Sequence, residues 1–258
     1  MILVADSGST KADWILNFKD QTSKVVFTTK GINPFFQTEK SIIKILNRSP
    51  QIQPFLNEIT EVYFFGSGCS SPDSRELISN ALSQVFPFAF INVENDITGA
   101  VYATCGVNPG LCCILGTGSN ISFYDGQTVF PGNHGLGYIL GDEGSGTFFG
   151  KKLITDYLYK KMPGNIHKAF SEAYNIDKET VIKEVYSLES PNFYLASFAK
   201  FLSDFKDEQY VLELIHSGFD EFIQSNVKSY PDYRRYPCHF IGSIAFYFGN
   251  ILQQVCKQ

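Results

Sequence analysis

A two-domain α/β fold is what this sequence predicts, and three observations carry the prediction. At 258 residues the chain exceeds a typical single domain. Its strand-and-helix pattern runs once from the N-terminus and restarts in outline at Gly110. In each half an apolar strand opens into a small-residue, hydroxyl-rich turn: Asp6-Ser7-Gly8-Ser9-Thr10-Lys11 in the first, Gly116-Thr117-Gly118-Ser119-Asn120 in the second. The halves are expected at residues 1–106 and 107–258, with a helical insertion at about 148–230 in the second.

The elements follow in order. Ile2 to Ala5 and Ala12 to Phe18 read as two strands of a hairpin, and Lys24 to Thr29 alternates as a third strand until Gly31-Ile32-Asn33-Pro34 breaks it. Gln37 to Asn47 carries Ile42, Ile43, Ile45 and Leu46 on a helical face. A strand at Glu61 to Phe65 ends in Gly66-Ser67-Gly68, and a helix runs from Pro72-Asp73 to about Val85. A strand over Phe88 to Val93 and a helix over Asp96 to Cys105 complete the first half. Strands alternating with helices imply parallel pairing and right-handed crossovers. Short strands around Ile114, Ile121 and Val129 repeat the three-strand opening. A Gly-rich loop, Pro131 to Gly146, then leads into mostly helical sequence from Phe148 to Val227. Val211, Leu214, Ile215, Phe219, Phe222 and Ile223 mark one amphipathic face there. A last strand, Cys238 to Ile241, turns through Gly242-Ser243 into an apolar helix.

Composition narrows the class. With 44% hydrophobic and 15% aromatic residues the chain belongs with globular proteins. A net charge of −5 and the lack of a Lys/Arg-rich run argue against nucleic acid as a partner. No apolar leader fits before Asp6, and Phe240 to Leu252 is too short and too interrupted to span a membrane, so a cytoplasmic location without a membrane partner is expected. The six cysteines lack C-x-x-C spacing, which favours packed thiols over disulfides or a zinc site. The four histidines are scattered and read as structural or surface residues.

The two matched turns carry the chemistry. Successive turn N–H groups, Ser and Thr hydroxyls and the Lys11 ammonium would converge on an anion, most plainly a phosphate, and Gly8 would admit it without a Cβ in the way. Neither turn is a P-loop, because the Gly-x4-Gly-Lys-Ser/Thr spacing is absent and strand-like sequence follows each. Either turn alone reads equally as an ordinary hairpin; their recurrence favours phosphate. In the Gly-rich loop, Asp142-Glu143 either complements a helix dipole or lies against a ligand, and the loop's length and glycine content favour the ligand.

Asp6 to Lys11, Gly116 to Asn120, Gly141-Asp142-Glu143-Gly144-Ser145 and Gly242-Ser243 together resemble the phosphate 1, phosphate 2, sugar-loop and adenosine motifs of the BadF/BadG/BcrA/BcrD-type ATPase family, and among its members the N-acetylglucosamine kinases. The resemblance spans nearly the whole chain. It implies two ribonuclease-H-like (actin-like ATPase) domains around a nucleotide and sugar cleft, ATP and Mg²⁺ as cofactors, an amino sugar as substrate and a possible homodimer. Asp6 would hold Mg²⁺ through water, with Ser7, Gly8, Ser9, Thr10 and Lys11 around the phosphates. Gly116, Thr117, Gly118 and Ser119 would grip phosphates from the second domain, and Gly242 and Ser243 would lie against the adenosine. Asn33, Thr117, Gly135, Leu136, Gly137 and Asp142 match sugar-binding positions, Leu136 standing where the animal-type loop has a tryptophan. Asp96 matches the general base; without the resemblance its place between strand and helix reads first as a helix N-cap, and the resemblance turns the reading to the base. Such a fold continues past an adenosine helix, so the C-terminal end at Gln258 is expected to be truncated.

The implied activity is ATP-dependent phosphorylation of the 6-hydroxyl of N-acetylglucosamine or a close amino sugar. Two other readings stay open: an ATPase that activates a 2-hydroxyacyl-CoA dehydratase, which needs cysteines placed for an iron–sulfur cluster, and a non-catalytic sugar sensor.

Overall fold

The computed structural model describes residues 1–8, 11–18, 23–132, 135–188 and 191–257. The chain forms two compact units, Met1–Ala103 and Thr104–Gln258. Ser9 and Thr10 of the first turn, and Asn133 and His134 of the Gly-rich loop, lie outside the described residues.

Unit 1 is built on a five-stranded sheet of order β3-β2-β1-β4-β5. Strands β1 (Ile2–Ser7), β2 (Lys11–Asn17) and β3 (Lys24–Lys30) form an antiparallel meander. Helix α1 (Glu39–Asn47) then leads to β4 (Glu61–Gly66), and α2 (Pro72–Val85) leads to β5 (Phe90–Asn95); β1, β4 and β5 run parallel. The parallel direction puts the C-terminal ends of β1, β4 and β5 side by side, where Asp6 and Ser7, Ser67, and α3 (Asp96–Cys105) begin or end. Alternation in β1 buries Leu3, Ala5 and Ser7. They face a core centred on Trp14, which stacks at 5.9 Å on Phe27 and donates its indole N–H to Thr29 Oγ1 at 2.9 Å. The expected strand at Phe88 to Val93 lies two residues later. Ala89 N–H bonds the Phe86 carbonyl in a turn, and pairing with β4 starts only at Phe90 opposite Glu61, leaving Phe88 exposed.

Unit 2 repeats the meander in a four-stranded sheet, β8-β7-β6-β9. Strands β6 (Gly110–Leu115), β7 (Ser119–Tyr124) and β8 (Val129–Pro131) are antiparallel, and β9 (Cys238–Ile241) lies parallel to β6. Between β8 and β9 come α4 (Gly137–Leu140), α5 (Gly146–Leu158), α6 (Gly164–Tyr174), α7 (Lys178–Ser187), α8 (Pro191–Ser197), α9 (Lys200–Asp204) and α10 (Gln209–Phe222). Val211, Ile215, Phe219 and Phe222 of α10 are buried with Phe149 and Phe170 in one core, as the amphipathic pattern requires. The apolar C-terminal helix is two pieces, α11 (Ser243–Tyr247) and α12 (Gly249–Val255), divided at Phe248, whose φ of −115° and ψ of 23° interrupt the helix. Among the described residues no helix is long and apolar enough to cross a membrane. Cys69, Cys105, Cys112 and Cys113 are buried free thiols, and Cys238 and Cys256 are free and exposed.

Candidate active site

In unit 1 the parallel strand ends gather Asp6, Asn33, Ser67 and Asp96. Asp96 is the first residue of α3, and its Oδ1 accepts from the Ile97 N–H at 3.0 Å. That N–H is shared with Asn95 Oδ1 at 2.9 Å, so Asn95 carries part of the capping work that Asp96 would otherwise do alone. Burial raises the Asp96 carboxyl, while hydrogen bonds from backbone N–H groups and from the Ser67 hydroxyl pull it down. The Asp6 carboxyl is also raised, by crowding protein first, then by the Asp96 and Asp13 charges, against which Lys11 acts. Asp6 keeps an exposed side chain. Its strand, β1, is separated from β5 by β4 alone, a span of about 10 Å.

The residues of the first turn divide. Ser7, expected among the phosphate donors, is fully buried: its hydroxyl accepts from Ile32 N–H at 2.8 Å and donates to the Ile32 carbonyl at 3.1 Å. Strand alternation sends Asp6 and Ser7 to opposite faces, so the Ser7 hydroxyl ties β1 to the Gly31–Asn33 segment and does not join Asp6. Lys11 pairs with Asp13 at 2.9 Å, both side chains more than half exposed, a contact of small energetic weight. Gly8 closes the turn through its N–H to Lys11 O at 2.9 Å. Among the described residues a Cβ on Gly8 would meet that carbonyl alone, at 3.6 Å. Asn33 is buried, and its Oδ1 accepts from Phe35 N–H at 2.9 Å.

In unit 2 the phosphate-2 turn is oriented by α5. The N–H groups of Gly146 and Thr147 donate to the carbonyls of Gly116 at 2.8 Å and Thr117 at 2.9 Å, and the Thr147 hydroxyl adds a short hydrogen bond to the Thr117 carbonyl. These peptides are trans, and in a trans peptide the N–H opposes the C=O. The Thr117 and Gly118 N–H groups therefore turn away from α5, as an anion nest requires. Ser145 caps α5 by accepting from Phe148 N–H at 3.2 Å.

Ser119, next in the chain, begins β7. A Cβ on Gly118 would stand 2.8 Å from Asp142 Oδ2, so only glycine lets the carboxylate lie against the turn. Asp142 has a left-handed φ of 62°, uncommon outside glycine. Burial raises its carboxyl; the Ser119 N–H and the Lys151 ammonium oppose this. Gly135, Leu136 and Gly137 form an exposed turn into α4.

Gly242 joins the adenosine motif to the phosphate turn. Its φ is +106°, and a Cβ would meet Leu115 O at 2.3 Å and Gly116 N at 3.1 Å. Beside this junction lies a cavity of about 480 Å³ lined by Gly116, Thr117, Gly146 and Ser243, with Lys200, Ser203 and Asp204 of α9 and Tyr247 of α11. The α9 residues and Tyr247 were not singled out by their sequence, because a helical insertion shows no motif of its own. A larger cavity of about 570 Å³, lined by Arg234, Cys238 and Cys256 among others, contains none of the motif residues. The smaller one is therefore the candidate nucleotide pocket.

No family model matches the chain, and no curated protein matches it. Solved structures do. Two are putative N-acetylglucosamine kinases. The one from Porphyromonas gingivalis is 39% identical over the whole of this chain and 91% of its own length, with a TM-score of 0.91. The one from Chromobacterium violaceum is 17% identical over 97% of this chain and 90% of its own, TM-score 0.75. A ROK family glucokinase from Streptomyces griseus, solved with glucose and AMPPNP, is 13% identical over 99% of this chain and 88% of its own, TM-score 0.58. At such identities the last two show the fold alone. Two mixed α/β units with turn-bearing strand ends thus have the actin-like architecture of sugar kinases. On its 39% identity the chain belongs to the sugar-kinase family of the P. gingivalis protein.

Proposed function

We propose that the chain is an ATP-dependent kinase that transfers the γ-phosphoryl group of ATP to the 6-hydroxyl of N-acetylglucosamine or a close amino sugar in the cytoplasm. The observation that carries the reading is Asp96: a carboxylate between the end of the parallel strand β5 and the start of α3, held at Oδ1 by the Ile97 N–H at 3.0 Å and raised by burial. A general base gains from a raised pKa and a held carboxylate, and the burial of Asp96 and its Ile97 N–H bond act in those two directions. The assignment of N-acetylglucosamine rests on the sugar-loop resemblance and on the name of the P. gingivalis relative. The BadF/BadG-type grouping rests on the four motifs.

In this reading Asp96 takes the proton of the sugar hydroxyl as its oxygen bonds the γ-phosphorus. The bond to the β-phosphate bridging oxygen breaks, and ADP leaves with that electron pair. Thr117 and Gly118 N–H groups stabilise phosphate charge from unit 2, and the pocket beside Gly242 and Ser243 takes the adenosine. Positioning and charge stabilisation supply most of such an acceleration. Mg²⁺ fits Asp6: a carboxylate raised first by the protein around it and then by the Asp96 and Asp13 charges gains from a cation. Among the described residues no three His, Cys, Asp or Glu side chains cluster as metal ligands, which suits a hydrated Mg²⁺ held by one carboxylate and substrate phosphates. When bound, Mg²⁺ neutralises phosphate charge.

The test is coupled ADP release with N-acetylglucosamine, N-acetylmuramic acid, glucosamine and glucose. N-acetylglucosamine should give the highest kcat/KM, and Asp96→Asn should lower sugar-dependent turnover by ~10²-fold or more with folding intact. Unchanged turnover in Asp96→Asn removes Asp96 from the mechanism.

A further inference from the structure

We propose that Asn226, presented by the π turn that follows α10, is a positioning residue of the sugar loop: it anchors Glu143 and thereby sets the neighbouring Asp142 carboxylate for the sugar. The inference rests on the reading of Asp142 as a sugar ligand.

Asn226 stands in an apolar stripe, where a polar side chain needs a reason. Gly218, Phe222 and Asn226 are spaced four apart along one face of α10 and the turn after it. That face packs against the Gly-rich loop. A Cβ on Gly144 would stand 3.2 Å from Gly218 O and 3.3 Å from Phe222 Cβ. One step further along the face, Asn226 is 4% exposed, and its Nδ2 donates to Glu143 Oε2 at 3.3 Å. Nδ2 also donates to Ser225 Oγ at 3.0 Å, and that hydroxyl gives its own proton to Glu221 O at 2.6 Å. Both neighbours of Nδ2 are thus acceptors, which sets this end of the amide as the donor. Over Ile223–Val227 the helix widens to π geometry, with Lys228 N–H reaching back to Ile223 O at 2.9 Å. Ile223, Asn226 and Val227 are all buried there, so the widened turn seats the carboxamide between two apolar side chains.

The segment that Asn226 holds is a strained one. Asp142, with φ 62°, and Gly144, with φ +67°, are both left-handed and flank Glu143. Ser145 N–H closes the turn on Asp142 O at 3.1 Å. A left-handed aspartate persists only where its surroundings hold it. Here the Glu143–Asn226 bond and the packing of Gly144 on α10 clasp the turn, while the Asp142 carboxylate lies against Gly118. The loop's other arm is tied as well, since Lys151 Nζ of α5 donates to the Tyr138 carbonyl of α4. A carboxylate held in this way spends less orientational freedom on meeting the sugar.

In the full chain, Asn226→Asp replaces the donor with a carboxylate facing that of Glu143. It should raise the KM for N-acetylglucosamine about tenfold and leave the KM for ATP within about twofold of the parent. Combining Asn226→Asp with Glu143→Gln exchanges donor and acceptor across the same gap and should recover most of the loss. In the Asp142→Asn background Asn226→Asp should add little to the sugar KM, because it acts through a carboxylate that is already gone. A merely structural Asn226 would lower the thermal midpoint and leave both KM values where they were, since KM does not depend on how much of the enzyme is folded. If Asn226→Asp does not fold, Asn226→Ser removes the donor without adding charge, and the same split between the two KM values is read from it. An unchanged sugar KM, a parallel rise in the ATP KM, no recovery in the double variant, or full additivity with Asp142→Asn overturns the proposal. If Asp142→Asn alone keeps the parent's sugar KM, it is the reading of Asp142 that falls; if no sugar drives ADP release by the parent, it is the proposed kinase activity.

Discussion

Asp96 and Asp6 share one crowded field, and their protonation follows from it. Both carboxyls are raised by burial, and Asp6 further by the Asp96 charge. A general base works deprotonated, so kcat/KM falls as pH drops through the folded-state pKa. The acid limb of the pH profile should therefore lie above the ~3.9 of a free aspartate. A limb at or below that value would show that the hydrogen bonds from Ser67 and Ile97 outweigh burial. For stability the sign is the reverse of an ion-paired carboxylate. A folded pKa raised above the unfolded one adds stability below the unfolded value and loses it as pH rises through the folded value. At neutral pH the Asp6 carboxylate is thus a small cost, discounted by its exposure, and Asp6→Asn should leave the thermal midpoint level or slightly raised while reducing Mg²⁺-dependent turnover. A lowered midpoint would mean that Lys11 outweighs the two neighbouring aspartates.

At the scale of elements, the strands and turns were largely legible, because alternation and glycine punctuation are local signals. The three-strand openings, the parallel β4 and the helix starting at Asp96 follow from them. What was not legible depends on direction and on distant partners. Ser7 lies inside the motif, yet its side chain faces the core, and only the register of β1 within the sheet decides that. A third glycine-and-hydroxyl turn, Gly66-Ser67-Gly68-Cys69-Ser70, comes beside the first only because β4 pairs with β1, its Ser67 N–H bonding Ser7 O at 2.8 Å. The strand at β5 slipped by two residues because Phe88 is apolar but belongs to a turn. Asp142, expected at the sugar, lies with its carboxylate against Gly118, a contact that no spacing in the chain announces. The Gly242 junction, by contrast, has a purely steric cause. Gly242→Ala introduces a Cβ 2.3 Å from Leu115 O at a φ that L residues rarely adopt. It should cost about 1–3 kcal/mol of stability and raise the KM for ATP well beyond the KM for sugar. A variant with unchanged ATP KM would separate this junction from the nucleotide.

For the whole molecule, each unit carries its own buried core and its own half of the proposed chemistry: the acceptor's base in unit 1, the nucleotide's holders in unit 2. The family membership and the fold are established by the P. gingivalis relative and the sheet topology; the amino-sugar kinase activity is the claim that remains to be measured. Sugar-dependent ADP release by the full chain, with Mg²⁺ and ATP, tests it most directly. Release should rise on adding N-acetylglucosamine, exceed that with glucose, and fall ~10²-fold in folded Asp96→Asn. Release that ignores the sugar, or that survives Asp96→Asn unchanged, contradicts the account.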